Sequence, residues 1–225
     1  MHDLRCRIFS APLRGRKDRD LHSVYALWTD VWSRTLAEID PNTILVSDKF
    51  SSQDEVVSLF IGDDPVAAGT LKVLDLKHDI DRRDSFFEPL PQDFSDRLLR
   101  SHARIMVGGY LTIASSARGF QSGLPTTEVL VGLMVRRFQE SGADVLVATM
   151  RSDIPAYATA VQLGARIAAT TEMHNVPVVV ITAMKSAINS NPNALVDQLI
   201  DELWENRNGP SVSRKLERQG IADAG

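Results

Sequence analysis

The sequence lacks several features that mark particular classes of protein. It contains a single cysteine, Cys6, so the chain cannot form an internal disulfide and has no CxxC pair for a metal site. No apolar run approaches the roughly 18 residues that a membrane span needs. The first 20 residues hold no apolar stretch followed by a cleavage site, so they do not read as a secretory signal. These absences predict a cytoplasmic protein without a bound metal or a membrane partner.

Charge of one sign is also scarce. The chain has 25 Lys and Arg against 29 Asp and Glu, which gives a formal net charge of −4. This balance does not indicate a nucleic-acid partner, because such proteins present a strongly basic surface. Hydrophobic residues make up 44% of the 225 residues. We therefore expect a soluble, globular protein that is large enough to bury a substantial core.

The chain is predicted to divide into three segments. Residues 1–20 are rich in arginine and lysine and are predicted as a basic N-terminal arm, either a solvated tail or a docking surface for an acidic partner. Residues 21–185 carry the regular patterns of a folded body. Residues 186–225 carry one amphipathic helix and a charged tail. Periodicity leaves open whether this last helix packs within its own chain or across a homodimer.

The body alternates helical and strand patterns. Apolar residues from Leu21 to Ile39 recur at helical spacing and place Trp28 and Trp32 on one face, either as core anchors or as ligand-stacking side chains. "EVVSLFI" and "VAAGTLKVLDL" form a predicted hairpin around "GDDP". The phenylalanines of the charged segment 77–100 either pin it to the body or line a substrate mouth. Strand, helix, strand, helix and two strands follow, which predicts an α/β fold with a mixed sheet and helices on its faces.

Glycines interrupt two of the predicted strands. "ARIMVGGYLTIAS" has Gly108 and Gly109 in its middle, and consecutive glycines weaken a strand unless a bulge splays it there. Gly69 interrupts the strand before it, where we expect a bulge or a close backbone approach.

A cationic, glycine-bearing loop stands between the second of these strands and a long helix pattern. It reads "SSARGFQSGLPTTEVL" over residues 115–130. A helix N-terminus presents unpaired N–H groups and partial positive charge, and glycines let a phosphate approach them. The loop is therefore either an anion site or ordinary turn chemistry.

The order of these elements resembles the GNAT (N-acetyltransferase-like) acyltransferase superfamily. The resemblance covers about residues 20–185 and includes a helix ending in "LGA". It implies a GNAT-like fold whose central sheet is splayed beside the loop. In the superfamily the acyl-CoA loop reads Gln or Arg, two residues, Gly, one residue, then Gly or Ala. Arg118 and Gly123 match the two ends, and Gln121 stands at the middle glycine.

The same resemblance implies a donor site for a phosphopantetheine thioester. Backbone groups near Leu111, Thr112 and Ile113 would pair with the pantetheine arm. The bulge would expose peptide groups beside the thioester carbonyl, at Gly108–Gly109 or at the adjoining Tyr110. One hydrogen-bond donor aimed at a developing oxyanion contributes a few kcal/mol in related chemistry. The pyrophosphate would be held by the loop residues Arg118, Gly119, Phe120, Gln121, Ser122 and Gly123.

Three residues are the candidates for proton transfer. The superfamily commonly has a tyrosine four residues before the glycine of "LGF" as the general acid, and here Ala160 stands at that position, with Tyr157 nearly one helical turn earlier. Asp153 stands where the family has an asparagine. His174, in the break between the last two strands, is either a general base or a solvated turn histidine.

The N-terminal half resembles one branch of the superfamily. "VSDKFSSQDEVVSLFIGDDPVAAGTLKVLD" and "ARIMV" are similar to segments of acyl-homoserine-lactone synthases and long-chain N-acyl amino acid synthases, with Arg104 at their strand arginine. This branch implies an acidic acyl carrier protein as donor. Arg118, Arg136, Arg137 and the N-terminal arm would then steer the carrier. The favoured interpretation of Arg136 and Arg137 is that they solvate the outer face of their helix.

The sequence thus predicts an N-acyltransferase. It would move an acyl group from a phosphopantetheine thioester, on CoA or on acyl carrier protein, to a small-molecule amine by direct attack. Two alternatives stay open: an acyl-homoserine-lactone or N-acyl amino acid synthase that uses acyl carrier protein, and a non-catalytic binding module with a GNAT-like fold.

Overall fold

One eight-stranded sheet organises the part of the chain that the computed structural model describes, residues 2–40, 42–118, 123–154 and 156–214. The spatial order is β6-β7-β5-β4-β3-β2-β1-β8. The strands are β1 (His2–Ser10), β2 (Glu55–Ile61), β3 (Asp64–Asp75), β4 (Arg104–Ile113), β5 (Val145–Arg151), β6 (Arg166–Met173), β7 (Val176–Met184) and β8 (Val212–Arg214).

The sheet is mixed, as the sequence predicts. β4 and β5 are parallel, and the other neighbouring pairs are antiparallel. A parallel pair needs a crossover connection, and here a helix supplies it. The helices are α1 (Arg19–Ile39), α2 (Asp48–Ser51), α3 (Asp79–Arg82), α4 (Gln92–Ser101), α5 (Thr126–Glu140), α6 (Ala156–Gln162) and α7 (Ala194–Glu205).

Helices cover both faces of the sheet. Successive strand residues point to opposite faces, and in β3 Ala67 joins the core beneath α5 and α7 while Ala68 joins the core beneath α1. Leu74, an even number of residues from Ala68, lies on the second face and packs with α4. The result is a three-layer α/β arrangement with the sheet in the middle.

Helix α1 begins and buries its face as its sequence predicts. The carboxylate of Asp18 caps the helix by accepting from the backbone N–H groups of Asp20 and Leu21. Trp28 is only 1% exposed and is a core anchor. Trp32 is half-buried, so the two tryptophans differ in environment although they share one stripe.

The N-terminal segment corrects the prediction of a separate basic arm. Residues 2–10 form β1, which pairs with β2 along its length. Arg5 and Arg7 each donate to Asp20 at 2.6 Å, and Arg7 also pairs with Asp18. Their positive charge is therefore neutralised at the acidic start of α1. The strand was missed because Leu4 and the other apolar residues alternate with arginines that read as a solvated tail.

The C-terminal segment is also part of the body. The backbone N–H of Asn208 donates to the carbonyl of Cys6, and its side-chain oxygen accepts from the N–H of Ile8. β8 then pairs with β1, so the chain from Asn206 to Arg214 is held against the sheet. α7 packs against α5 in its own chain, where Ile200 fills the space above Gly132.

The charged segment 77–100 is pinned to the body. Phe94 and Leu98 of α4 are buried, and Phe86 and Phe87 pack against the same core cluster. These phenylalanines therefore serve packing on the second face of the sheet.

Candidate functional site

Strands β4 and β5 separate in the centre of the sheet. They pair only from Ile105 to Gly108 on β4 and from Val145 to Ala148 on β5. Beyond these positions β4 runs on to Ile113, and β5 stays paired with β7 on its other side as far as Arg151. The sheet is therefore open between its two central strands, which is the splay that the family resemblance implies.

A bulge in β4 lies at the start of this opening. Gly109 pairs with Thr70 and Thr112 pairs with Ala68, so Tyr110 and Leu111 together stand opposite the single residue Gly69 of β3. Tyr110 has a φ of +47°, which is uncommon for a bulky residue. The bulge predicted near the glycine pair is confirmed, and Tyr110 and Leu111 are the two residues that form it.

Gly69 makes the close approach that the sequence predicts. A Cβ at this position would overlap the side chain of Met134, whose sulfur rests directly on the glycine. The terminal methyl of the same methionine also lies against Gly108. Helix α5 is therefore held close to the splay by a flexible thioether.

A cavity of about 220 Å³ occupies the splay. An apolar cavity of about 150 Å³ is large enough to hold benzene, so this one has room for a longer hydrocarbon group. Its wall is mostly apolar and includes residues from α1 on one face of the sheet and from α5 on the other, so it passes through the sheet. Representative lining residues are Trp32, Leu36, Val131, Met134, Met150 and Met173.

Charged side chains gather at one end of the cavity. Arg151 lines the wall and donates twice to Asp153, at 2.9 and 2.6 Å. These hydrogen bonds, together with the attraction of the Arg151 guanidinium, hold the pKa of the Asp153 carboxyl below its usual range, against the opposing effect of burial. The charge of Glu38 contributes to the raised pKa of Arg151, and His174 contributes to the lowered pKa of Asp40. The end of α1, the end of β5 and the β6–β7 turn thus form a rim of mixed charge.

The three candidates for proton transfer lie in different environments. His174 lines the cavity, in a two-residue turn where it and Asn175 have φ of +51° and +60°. Asp153 is exposed and reaches the wall through its pair with Arg151. Tyr157 is half-buried in α6 and packs against the core beneath α5, while Ala156 and Ala160 are the α6 residues that line the cavity. Their roles remain predictions.

Part of the predicted donor site is on β4 and in the loop after it. Thr112 and Ile113 pair with β3, and Leu111 lines the cavity. The Nε of Arg118 donates to the carbonyl of Ile113 at 3.0 Å, and the side chain is otherwise exposed. Gly123 has a φ of +65°. Gly119, Phe120, Gln121 and Ser122 lie outside the described residues.

The first turn of α5 brings a carboxylate to the predicted anion site. The buried hydroxyl of Thr126 donates to the carbonyl of Ala117 at 2.9 Å and ties the helix to the loop. Glu128 is half-buried in this turn, and burial raises the pKa of its carboxyl. An ionised Glu128 would oppose a phosphate at this helix end.

The remaining arginine candidates lie away from the cavity and have partners. Arg104 begins β4, where it pairs with Asp75 at 3.2 Å. Arg136 pairs with Asp201 of α7. Neither residue lines the cavity in the splay, so their proposed roles would concern a partner's docking and stay predictions.

Several lining residues were not singled out from the sequence. They include Met134, Met150, Met173 and Arg151. For Met150 and Arg151 the available signal is the run "DVLVATMR", in which a charged residue directly follows an apolar strand pattern. Cys6 is excluded as a nucleophile, since burial raises the pKa of its thiol to about 12.

The strand order of the sheet and the splay between β4 and β5 are those of the GNAT-like acyl-CoA N-acyltransferase fold. The chain is similar to FeeM, an N-acyl amino acid synthase from uncultured soil microbes, at 14% identity and a TM-score of 0.55 over 83% of this chain and 93% of that chain. It is similar to the acyl-homoserine-lactone synthase LasI at 11% identity and a TM-score of 0.55, over 96% and 100% of the two chains.

A third similar structure is BjaI, a CoA-dependent acyl-homoserine lactone synthase. The identity is 13% and the TM-score 0.57, over 94% of this chain and 96% of that one. At these identities the likeness shows the fold. A scan against protein-family models finds no match, and a search of curated proteins finds none either.

Neither a membrane-spanning helix nor a metal-binding cluster is present among the described residues. Among the described residues, no helix is long and apolar enough to cross a bilayer. Over the same residues, no group of three or more His, Cys, Asp or Glu side chains is placed to hold a metal ion.

Proposed function

We propose that this protein is an N-acyltransferase that moves an acyl group from a phosphopantetheine thioester to a small-molecule amine. The observation that carries the proposal is the apolar cavity in the splay, directly beside the bulge of β4. A thioester needs a place for its acyl chain and backbone donors beside its carbonyl, and these two features adjoin here.

The donor arm would lie along the free side of β4. Beyond Gly108 this side has no pairing with β5, so its peptide groups are open to the amides of a pantetheine arm. The acyl chain would enter the cavity past Trp32 and Met134. Burial of apolar surface favours this placement by roughly 25 cal/mol per Å².

The charged rim suits the acceptor. An amine must lose a proton to attack, and His174 is the imidazole side chain that lines the cavity at this rim, where it is the proposed general base. The carbon–nitrogen bond forms as the carbon–sulfur bond breaks, and the leaving thiolate takes up a proton. Tyr157 is the proposed proton donor if α6 shifts toward the cavity, and water is the other source.

The donor is either acyl-CoA or an acyl carrier protein. Arg118, whose Nε donates to the carbonyl of Ile113, is the proposed phosphate contact, whereas an ionised Glu128 at the same helix end would disfavour a pyrophosphate. A carrier protein presents the phosphopantetheine arm without the nucleotide, so it tolerates this carboxylate better.

A second candidate is synthesis of an acyl-homoserine lactone or an N-acyl amino acid. It is supported by the similarity to FeeM and LasI over most of the chain and by the mixed charge of the rim, which suits an acceptor with both an ammonium and a carboxylate. Mass spectrometry of lipid extracts from cells that produce the protein would detect the product. Absence of every N-acylated product would count against this candidate.

The proposal is tested with purified protein. Acetyl-CoA, octanoyl-CoA and octanoyl carrier protein are titrated by calorimetry, and thiol release is then followed with a panel of amino acids as acceptors. We expect binding of at least one donor and acceptor-dependent thiol release. Binding without release would favour the non-catalytic module, with which the absence of a hydroxyl at Ala160 agrees. No heat with any pantetheine-bearing donor would refute both.

A further inference from the structure

A hydrogen-bonded pair of side chains stands directly behind the bulge of β4. The indole N–H of Trp32 donates to the hydroxyl of Thr112 at 3.1 Å, and this hydroxyl donates to the backbone carbonyl of Tyr110 at 2.7 Å. Thr112 is 0% exposed, so water does not compete for these bonds. The threonine hydroxyl therefore uses both its donor and an acceptor site within the protein.

The backbone of Tyr110 requires such support. A bulky residue in the left-handed region costs of order 1–3 kcal/mol and persists only where its surroundings hold it. The ring of Tyr110 packs edge-on against Trp28 and Trp32, with centroids 5.7 and 5.1 Å away. Trp32 thus restrains this residue twice, through the ring and through Thr112.

The hydrogen bond to the carbonyl fixes the direction of the whole peptide. The peptide that joins Tyr110 to Leu111 is planar and trans, so its carbonyl and its N–H point in opposite directions. Since the carbonyl is held by Thr112, the N–H of Leu111 points away from Thr112. Leu111 has no pairing position on β3, pairing with β5 ends at Gly108, and Leu111 lines the cavity.

We infer that Thr112 and Trp32 are positioning residues that hold the Tyr110–Leu111 peptide so that its N–H meets the thioester carbonyl in the cavity. The inference rests on the proposed acyl transfer and assigns a task to the side chain of Thr112. The N–H would stabilise the negative charge that develops on the carbonyl oxygen as the amine attacks. Preorganised donors of this kind are effective because they need no reorientation during the reaction.

Three substitutions separate positioning from packing. Thr112→Val removes the hydroxyl while keeping the shape, Thr112→Ser keeps the hydroxyl, and Trp32→Phe removes the indole donor while keeping an aromatic ring. Thr70→Val is the matched control, because Thr70 is also a buried threonine beside the bulge and its hydroxyl has no partner among the described residues.

The kinetic expectation concerns kcat. We expect Thr112→Val to lower kcat by about 10- to 100-fold, up to the loss seen when one oxyanion donor is removed, with KM for the donor little changed. Trp32→Phe should lower it less, and Thr112→Ser should recover most of the wild-type rate. Thr70→Val should leave kcat as it is. A wild-type kcat in Thr112→Val would overturn the inference.

A second readout does not depend on turnover. In ¹⁵N-labelled protein, Thr112→Val should shift the indole N–H resonance of Trp32 and speed amide hydrogen exchange at Leu111, whereas Thr112→Ser and Thr70→Val should not. If the wild type transfers no acyl group from any donor, the proposed function fails, and these signals still decide whether Thr112 orients the peptide. Unchanged signals in Thr112→Val would overturn that role as well.

Discussion

At the scale of single residues, Glu128 makes the stability of the protein depend on pH. Its carboxyl lies in the first turn of α5, where the helix dipole favours the ionised form. Burial nevertheless raises the pKa of this carboxyl. The folded protein therefore binds this proton more tightly than the unfolded chain. The stabilising contribution is complete below the ordinary glutamate pKa and is lost as the pH rises through the raised value in the folded state.

Replacement of Glu128 by glutamine removes this dependence. We expect Glu128→Gln to gain unfolding free energy relative to the wild type as the pH rises from about 4 to 7. Urea unfolding at several pH values measures the difference. Glu88→Gln, at an exposed glutamate, is the control and should show no such trend. A difference that stayed constant with pH would contradict the assigned effect of burial.

Met134 is predicted to set the depth of the cavity. It lines the splay and rests on Gly69 and Gly108. Met134→Ala should move donor preference toward longer acyl chains, since the space that the thioether fills becomes available. It should also cost about 2–5 kcal/mol of stability, as truncation of a buried methionine does. Calorimetry with a series of acyl-CoA chain lengths measures the preference.

A substitution at Gly69, which the Met134 sulfur contacts, is the control for Met134→Ala. Gly69→Ala pushes the thioether away from β3, so long chains should bind more weakly than in the wild type while short chains are less affected. If both variants changed all chain lengths equally, the methionine would not determine depth.

At the scale of elements, the junction of β1 with α1 depends on an ion-pair cluster. Burial by itself would raise the pKa of Asp20, but hydrogen bonds from Arg7 and Arg5 outweigh it and the net pKa is lowered. Stability from this carboxylate is present above its unfolded pKa and is lost as the pH falls through the lower, folded value.

Asp20→Asn is therefore expected to destabilise the protein at neutral pH. The side chain is 19% exposed, and its loss leaves two arginines without their shared partner, so we expect about 1–3 kcal/mol. The difference from the wild type should shrink as the pH falls from about 5 to 2. Asp63→Asn is the control: Asp63 is 90% exposed and 3.9 Å from Arg5. Equal effects of the two changes would show that the cluster is not responsible.

At the scale of the whole molecule, substitution of Arg118 is predicted to distinguish the two proposed donors. Its Nε is anchored to the carbonyl of Ile113, ahead of α5. With a CoA donor, Arg118→Ala should raise Kd by about tenfold or more, because a charge-assisted phosphate contact is lost. With a carrier-protein donor, the loss should be smaller and should diminish at high salt, because it acts through docking.

The measurement compares octanoyl-CoA with octanoyl carrier protein at low and high salt. Arg100→Ala is the control, since Arg100 is exposed on α4, which covers the opposite face of the sheet. An Arg118→Ala protein that bound both donors like the wild type would remove Arg118 from the donor site.

The two ends of the chain show where sequence patterns fall short. β1 alternates apolar residues with Arg5 and Arg7, and charge alone reads as a solvated arm. The acidic partners Asp18 and Asp20 are close in sequence, yet only the turn of the chain into α1 brings them against the arginines. β8 is three residues long, too short for any periodic signal, and exists because β1 offers it a free edge.

The sequence by itself determined the long helices and strands β2 to β7 of the body, the bulge near Gly108 and Gly109, and the mixed sheet, because the spacing of apolar residues and glycine chemistry are local properties. Tertiary structure decided the cavity. Trp32, Met134 and Met150 come from three elements that meet only because β4 and β5 separate after four paired positions. The register of the parallel pair is a relation between distant segments, so no local pattern of residues encodes it, and the candidate site depends on it.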